Sequence, residues 1–392
     1  MNKQARSGYI LMLALMTVSV GVVMVTSLYQ VSQVYLSFLR RARLQHEARA
    51  VAYSGPQIVR AQLAKILLKE QEDKKKKTES SKSNDKIPGK PKKAQPEPAS
   101  ETKGLGPSQE LLLLLNSWQT FELDERKDGV DATLKIYLSC EQGKVDLNHL
   151  STIFKKQEKA KKDSIKTASK QKEEEQLFTK FFAKLGKIGG GQRAQMLKAL
   201  KATLIKREYN WYDATELLDN KELKPLASQI YPSAPEPKNS TVKEVKPKSS
   251  LENQISINDL FTVDTSSSCL VPWALSRSVC VLLGIPALRS ASEEKLKLLA
   301  SKPIGIGKDS AKVWNAHLAP LYKKKWSALP KLAQKLLSNE CGATVFSVVS
   351  YAYVGGVVHG VWTLIRMVHT ARNKSRKQEA QVRFEIVKMI DI

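Results

Sequence analysis

The sequence predicts an α+β fold: a long N-terminal helix, membrane-spanning and then amphipathic, packed on a small antiparallel sheet, with a large helical domain inserted between the strands. Three observations carry this prediction. No charged residue occurs between Tyr9 and Leu39, after which Arg40, Arg41 and Arg43 arrive together. Apolar residues alternate with polar ones at 131–140 and again toward the C-terminus, from 343 to 388, which is the period of strands. Between those blocks, residues 150–338 carry Leu, Ile and Phe at helical spacings among many lysines.

Taken in order, residues 1–8 form a short basic leader, with Lys3 and Arg6, that stops at Ser7-Gly8. Tyr9–Leu28 then supplies the roughly 20 apolar residues that a helix needs to cross a bilayer core. An ordinary secretory signal has an apolar region of about 7–15 residues followed by a small-residue cleavage site. Here the apolar run is longer and no such site precedes the arginines, so any processing point lies before it, between Gly8 and Tyr9. The other reading of this end is a plain single-pass anchor.

Residues 9–69 read as one spine. Leu36, Leu39, Leu44, Val51, Ile58 and Leu63 continue the helical period past the membrane, with Gly55-Pro56 expected to kink or break it. Residues 70–108, with KKKK at 74–77 and five prolines between 88 and 107, read as a disordered basic linker. Residues 109–149 give a short helix or strand at 111–115 and then DATLKIYLSC at 131–140, a strand expected to be half-buried with Lys135 and Tyr137 outward. Gly143 supplies the turn after it, and Asp146 or Asn148 can cap the next helix. The helical domain at 150–338 is interrupted by Gly189–Gly191 and by a disordered loop at 232–250 (PSAPEPKNSTVKEVKPKSS). Residues 339–392 return to strands: ATVFSVVSYAY and VVHGVWTLIRMV joined by a Gly355-Gly356 hairpin, then 381–388.

The formal net charge is +26, concentrated in stretches such as 155–207 with 16 Lys/Arg against 5 Asp/Glu. The aromatic residues there fall at core spacings with Leu and Ile, so solvated helix faces are favoured over nucleic-acid binding. The five histidines are scattered, with no H-E-x-x-H and no nucleophile signature beside them, and Gly189–Gly191 lacks a phosphate-loop context. The chain is therefore expected not to be an enzyme. Four cysteines allow three full pairings. Cys140 and Cys341 close two strand-like segments of one predicted sheet and are the better pair; four buried free thiols are the alternative.

The leader ending in Gly8 before an apolar helix resembles type IV pilins and pseudopilins. In that family a prepilin peptidase cuts after the Gly and methylates the new N-terminus, here Tyr9, and a Glu usually stands fifth in the mature chain. Leu13 stands there in this sequence, as in the general secretion pathway protein K family, the minor pseudopilin at the tip of type II secretion pseudopili. Three further passages resemble that family: the strand leading to Gly143-Lys144 and Leu147-Asn148, the Thr262-Val263-Asp264-Thr265 entry followed by serines, and the Gly-Gly hairpin. The resemblance implies a single-pass protein of the bacterial inner membrane with its C-terminal part in the periplasm. It implies partnership with other minor pseudopilins in a tip complex, with the peptidase, and with membrane lipid through the N-terminal helix. It implies that Asp264-Thr265 and the following serines cap a helix of the insert. Proteins of that family bind calcium in the inserted domain, and the matching acidic segment here offers Asp213, Glu216 and Asp219. Two alternatives stay open: a minor pilin of a type IV or DNA-uptake pilus, and a membrane-anchored protein unrelated to pili.

Overall fold

The computed structural model describes residues 3–83, 108–162, 181–182, 193–233, 255–265, 270–286, 294–296, 299, 310–337, 342–369 and 382–392. The predicted α+β architecture is present. Helix α1 (Lys3–Ser83) is followed by α2 (Gln109–Leu114), and the strands are β1 (Trp118–Leu123), β2 (Ala132–Cys140), β3 (Val145–Asp146), β4 (Phe261–Thr262), β5 (Val345–Val354), β6 (Val357–His369) and β7 (Val382–Asp391). Five of them form one sheet in the order β1-β2-β5-β6-β7, every neighbouring pair antiparallel. Between β2 and β5 lie the helices of the insert, among them α3 (Leu147–Lys162), α4 (Arg193–Lys206), α5 (Ile257–Leu260) and α6 (Arg277–Leu283). The β3–β4 pair is parallel and ties the start of that insert to its middle.

One half of α1 packs on the sheet, and the other, from Leu11 to Arg40, is exposed at every residue. Ala48, Val51, Ala52, Val59, Leu63 and Ile66 are buried, at intervals of three, four and seven that place them on one face. Each large aliphatic side chain so buried contributes about 1.5–3 kcal/mol. They meet Leu134, Ile136 and Leu138 of β2 and Phe346, Val348 and Ala352 of β5, the even-numbered side chains of both strands, in one core. The odd-numbered side chains form a second, smaller core with Tyr137, Val345, Val349, Trp362 and Leu364, against which Trp118 and Tyr231 pack.

That second core corrects the expectation of a half-buried β2. Lys135 and Tyr137, expected to face water, are 4% and 1% exposed. The insert covers the sheet face opposite α1, so both faces of β2 are dry. The Lys135 ammonium lies 5.1 Å above the Tyr353 ring, and the Tyr137 hydroxyl donates to Asp259 at 3.2 Å. Burial, then the Asp259 charge, pushes the Tyr137 phenol well above its ordinary pKa.

Gly55-Pro56 neither breaks nor ends α1, contrary to expectation; the helix is continuous through it. Proline has no N–H, so the carbonyl four residues earlier, Ala52, loses its helical donor. Ser350 of β5 supplies the replacement: its buried hydroxyl donates to the Ala52 carbonyl at 2.9 Å. Glycine at 55 is what lets β5 approach so near, since a Cβ there would lie 2.3 Å from Ser350 Oγ. Beyond this notch α1 runs on to Ser83, so the first part of the expected linker at 70–108 is helical. Residues 70–77 are Glu, Gln, Asp and Lys, most of them good helix formers, and extending a formed helix avoids the cost of nucleation. Residues 84–107 lie outside the described residues, as does most of the 232–250 loop.

The strand β1 was not expected. It pairs with β2 from Trp118↔Tyr137 to Leu123↔Ala132. Its sequence, WQTFEL, is short and its burial only intermediate, which leaves a weak periodic signal. At the opposite edge, β7 is tied to α1 by Asp391. Its carboxylate accepts from the Tyr53 hydroxyl at 2.8 Å and from the Arg49 guanidinium at 2.8 Å, with His359 Nε2 at 3.2 Å. The Tyr53 hydrogen bond first, then His359 and Arg49, hold the Asp391 pKa below its ordinary value. A depressed carboxylate contributes stability that is present above the unfolded value of about 3.9 and is lost as pH falls through the folded one. Thermal midpoints of the parent and Asp391→Asn are therefore expected to converge as pH is lowered from about 5 to about 2.5. Curves that stay parallel over that range would count against the tie.

Candidate functional site

Two regions carry features beyond ordinary packing: the bare half of α1, and the junction where the sheet meets the insert. From Leu11 to Arg40 every residue of α1 is exposed, including Leu13 at 51%, and the helix contains a window of mean hydropathy 2.2 with none of it buried. By length and composition this is the one helix among the described residues able to cross a membrane. Gly8 and Tyr9 lie in its first turns. Thr17, Ser19, Thr26 and Ser37 of this stretch return their hydroxyls to carbonyls three or four residues back, Thr17 to Ala14 at 2.9 Å and Ser37 to Val34 at 2.7 Å, which lowers the cost of placing them in hydrocarbon.

The junction is built from Glu141-Gln142-Gly143-Lys144, the turn that leaves β2. Lys144 is 2% exposed, and its ammonium has three protons to place. One goes to the Glu141 carboxylate, one to the Asn258 carbonyl of α5 and one to the Ser347 hydroxyl of β5. The Glu141–Lys144 ion pair is thus buried in the seam between sheet and insert. Gln142 bridges the same seam. Its side-chain oxygen accepts from Val345 N–H at 3.2 Å, and its carbonyl accepts from Val271 N–H at 2.7 Å. Gly143 accepts from Ser276 N–H at 2.9 Å, and a Cβ there would sit 1.7 Å from the Ala274 carbonyl oxygen. Asp259 closes the cluster by accepting from Ser278 N–H at 2.7 Å. The chemistry is that of a fastener: Lys144, Gln142, Gly143 and Asp259 each engage a partner across the seam.

Around this seam the expected caps are partly redistributed. Asp146 caps α3 through His149 N–H at 3.0 Å, as expected. Asn148 instead clamps the Trp211 backbone, accepting from its N–H at 2.7 Å and donating to its carbonyl at 3.2 Å. The Thr265 hydroxyl donates to Asp146, so the Asp264-Thr265 passage docks on the start of α3. The cap of α6 is Ser276, whose hydroxyl accepts from Val279 N–H at 3.3 Å, in place of the Asp-Thr pair. The serines at 266–268 lie outside the described residues.

In the acidic segment expected to hold calcium, the Asp213 and Glu216 carboxylates are engaged by protein donors. Asp213 and Glu216 form a capping box at the start of the 3-10 turn Ala214–Asp219. Asp213 Oδ1 accepts from the Thr215 N–H and hydroxyl, both at 2.8 Å, while Oδ2 receives Lys388 of β7 at 2.9 Å. Glu216 Oε1 accepts the Tyr212 and Asp213 N–H groups, and Oε2 pairs with Arg207. All four oxygens already have donors, whereas a hard cation needs six to eight free oxygen ligands. Asp219 is exposed, and among the described residues no group of three or more His, Cys, Asp and Glu is placed to hold a metal. Burial pushes the Asp213 carboxyl up, but Lys388 and Thr215 together outweigh it and leave its pKa lowered. Asp213→Ala is expected to cost about 1 kcal/mol through the lost cap, with the same fall in melting temperature in millimolar calcium as in chelator. A fall seen only with calcium would place a metal on this segment.

Cys140 is a buried free thiol, its Sγ 3.3 Å from Gln142 Oε1, and burial pushes its pKa up to about 12. Cys280 is also free and buried; Cys269 and Cys341, the expected partner of Cys140, lie outside the described residues. Sequence reasoning missed the buried Glu141–Lys144 pair. The available signal was a Glu and a Lys three residues apart in a glycine turn directly after a strand. No family model and no curated protein matches the sequence. Among solved structures, the chain is similar to one in the crystal structure of the GspK-GspI-GspJ complex from the enterotoxigenic Escherichia coli type 2 secretion system, at 13% identity and a TM-score of 0.33, covering 70% of this chain and 83% of that one.

Proposed function

We propose that this protein is a minor pseudopilin, anchored in the bacterial inner membrane, that caps the tip of a type II secretion pseudopilus and so supports protein export across the outer membrane. The observation that carries the proposal is the division of α1: an apolar half bare on every side, continuous with a half that carries a five-stranded antiparallel sheet. A helix of this kind is held in lipid before assembly and exchanges lipid for the helices of neighbouring subunits afterwards. Leu13, where related subunits keep a glutamate, needs no partner subunit above it, which suits a terminal position. The insert between β2 and β5 adds bulk on the sheet face opposite α1, which blocks addition of a further subunit there.

Mass spectrometry of the native N-terminus is the test. Cleavage after Gly8 with a methylated Tyr9 is the expected result; a chain retaining Met1 overturns the proposal in favour of a plain anchored protein. A strain lacking the protein should also retain its exported enzymes in the periplasm. A second reading, a minor pilin of a DNA-uptake pilus, is favoured by the net charge of +26. It requires DNA binding that falls steeply with salt, and an export-competent deletion strain.

A further inference from the structure

We infer that the groove between α1 and the β5–β6 hairpin holds the phosphate headgroup of an anionic phospholipid, with one acyl chain continuing along the helix. The groove is about 610 Å³, within the usual range of roughly 300–1,000 Å³ for small-molecule sites. Its helix side is one face of α1, with Leu36, Arg40, Arg41 and Leu44, and its other wall is the hairpin from Gly355 to Val358. The wall is firmly placed. Gly355 and Gly356 adopt positive φ, and a Cβ on Gly355 would lie 2.8 Å from Leu44 Cδ2, so the tip presses on the helix.

Charge selects the occupant. Arg43 pairs with Glu47 at 2.8 Å and Arg49 with Asp391 at 2.8 Å. Arg40 and Arg41, the two that line the groove, have no ion pair among the described residues and are exposed. Paired guanidinium groups suit a phosphate, which they grip through parallel hydrogen bonds. The apolar lining selects a lipid over a free phosphate: Leu36 is 48% exposed and Val358 54%, directly beside the arginines.

Position agrees with charge. At 1.5 Å per residue the uncharged run Tyr9–Leu39 is roughly 45 Å long, the thickness of a bilayer with its headgroups. With Lys3 and Arg6 at one surface, Arg40 and Arg41 fall at the other. Tyr35, 61% exposed, then lies near that same interface, where tyrosine is favoured. The inference rests on residues 9–39 spanning a membrane and not on the chain being a pseudopilin.

The test uses the full chain purified in an uncharged detergent, with lipid binding followed by native mass spectrometry. Phosphatidylglycerol is expected to bind at least tenfold more tightly than phosphatidylcholine, and glycerol phosphate at equal concentration to leave it in place. Two basic side chains at an anionic surface are worth about a thirtyfold change in affinity, so Arg40→Gln with Arg41→Gln should weaken phosphatidylglycerol by that factor. Arg43→Gln, off the groove, should not. Equal binding of the two lipids, or an unaffected double variant, overturns the inference. Displacement by glycerol phosphate overturns the lipid as source and leaves a free-phosphate site. If alkaline carbonate strips the chain from membranes, the membrane span itself fails and the lipid site with it; retention without lipid preference sinks the lipid site alone.

Discussion

Lys144→Met lowers the stability of the folded chain by about 3–5 kcal/mol, the cost of leaving one partner of a buried ion pair uncompensated. Three acceptors lose their proton together: the Glu141 carboxylate, the Asn258 carbonyl and the Ser347 hydroxyl. Glu141 side chain is 3% exposed, so water cannot replace the ammonium. The effect should reach further than the turn, because those acceptors belong to β5 and to the insert. Limited proteolysis should therefore cut the insert at lower denaturant in the variant, before the α1–sheet core opens. Adding Glu141→Gln to Lys144→Met removes the orphaned charge, and more than half of the lost stability should return. Urea unfolding of the full chain in detergent measures both. A single variant within 1 kcal/mol of the parent would falsify the role assigned to this pair.

Gly55→Ala should cost about 2–3 kcal/mol, large for one methyl group on a helix that alanine otherwise favours. The new Cβ would meet Ser350 Oγ at 2.3 Å and Ser350 Cβ at 2.9 Å. Rotating the hydroxyl away relieves the first contact and strands the Ala52 carbonyl that Pro56 cannot serve. Ser350→Ala alone leaves that carbonyl without a donor and should cost about 1–3 kcal/mol. Because the two substitutions damage the same contact, their combination should cost clearly less than the sum. Additive losses would show that helix and strand do not meet through this notch.

These two positions also mark where sequence reasoning stops. Period-two alternation located β2, β5, β6 and β7, and the uncharged run located the bare half of α1, because both signals are local and repeated. Gly55-Pro56 carries an equally local signal for a break, and it was overruled by a donor 294 residues away along the chain, Ser350. Lys135 and Lys144 look like surface lysines, since nothing nearby shows that the insert will close over them. The acidic residues Asp213 and Glu216 offered four carboxylate oxygens that, in sequence, look available to a cation. Their engagement by Arg207 and by Lys388, which arrives from β7, depends on tertiary placement alone. Periodicity thus reports which face is greasy, and it is silent on which distant group will cover that face.

The strand order has a consequence for biogenesis. Strand β2, second in the sheet, is flanked by β1, made just before it, and by β5, made some two hundred residues later, with Cys140 aligned on Phe346. Closing so long a loop is entropically costly and slow. Until β5 emerges, the side of the spine carrying Val51, Val59 and Leu63 has only the earlier strands to cover it, and Ala52 keeps an unanswered carbonyl. A nascent chain paused within the insert is therefore a sticky, half-clothed rod, and a chaperone that shields it must act at that stage and withdraw once the last ribbons zip shut.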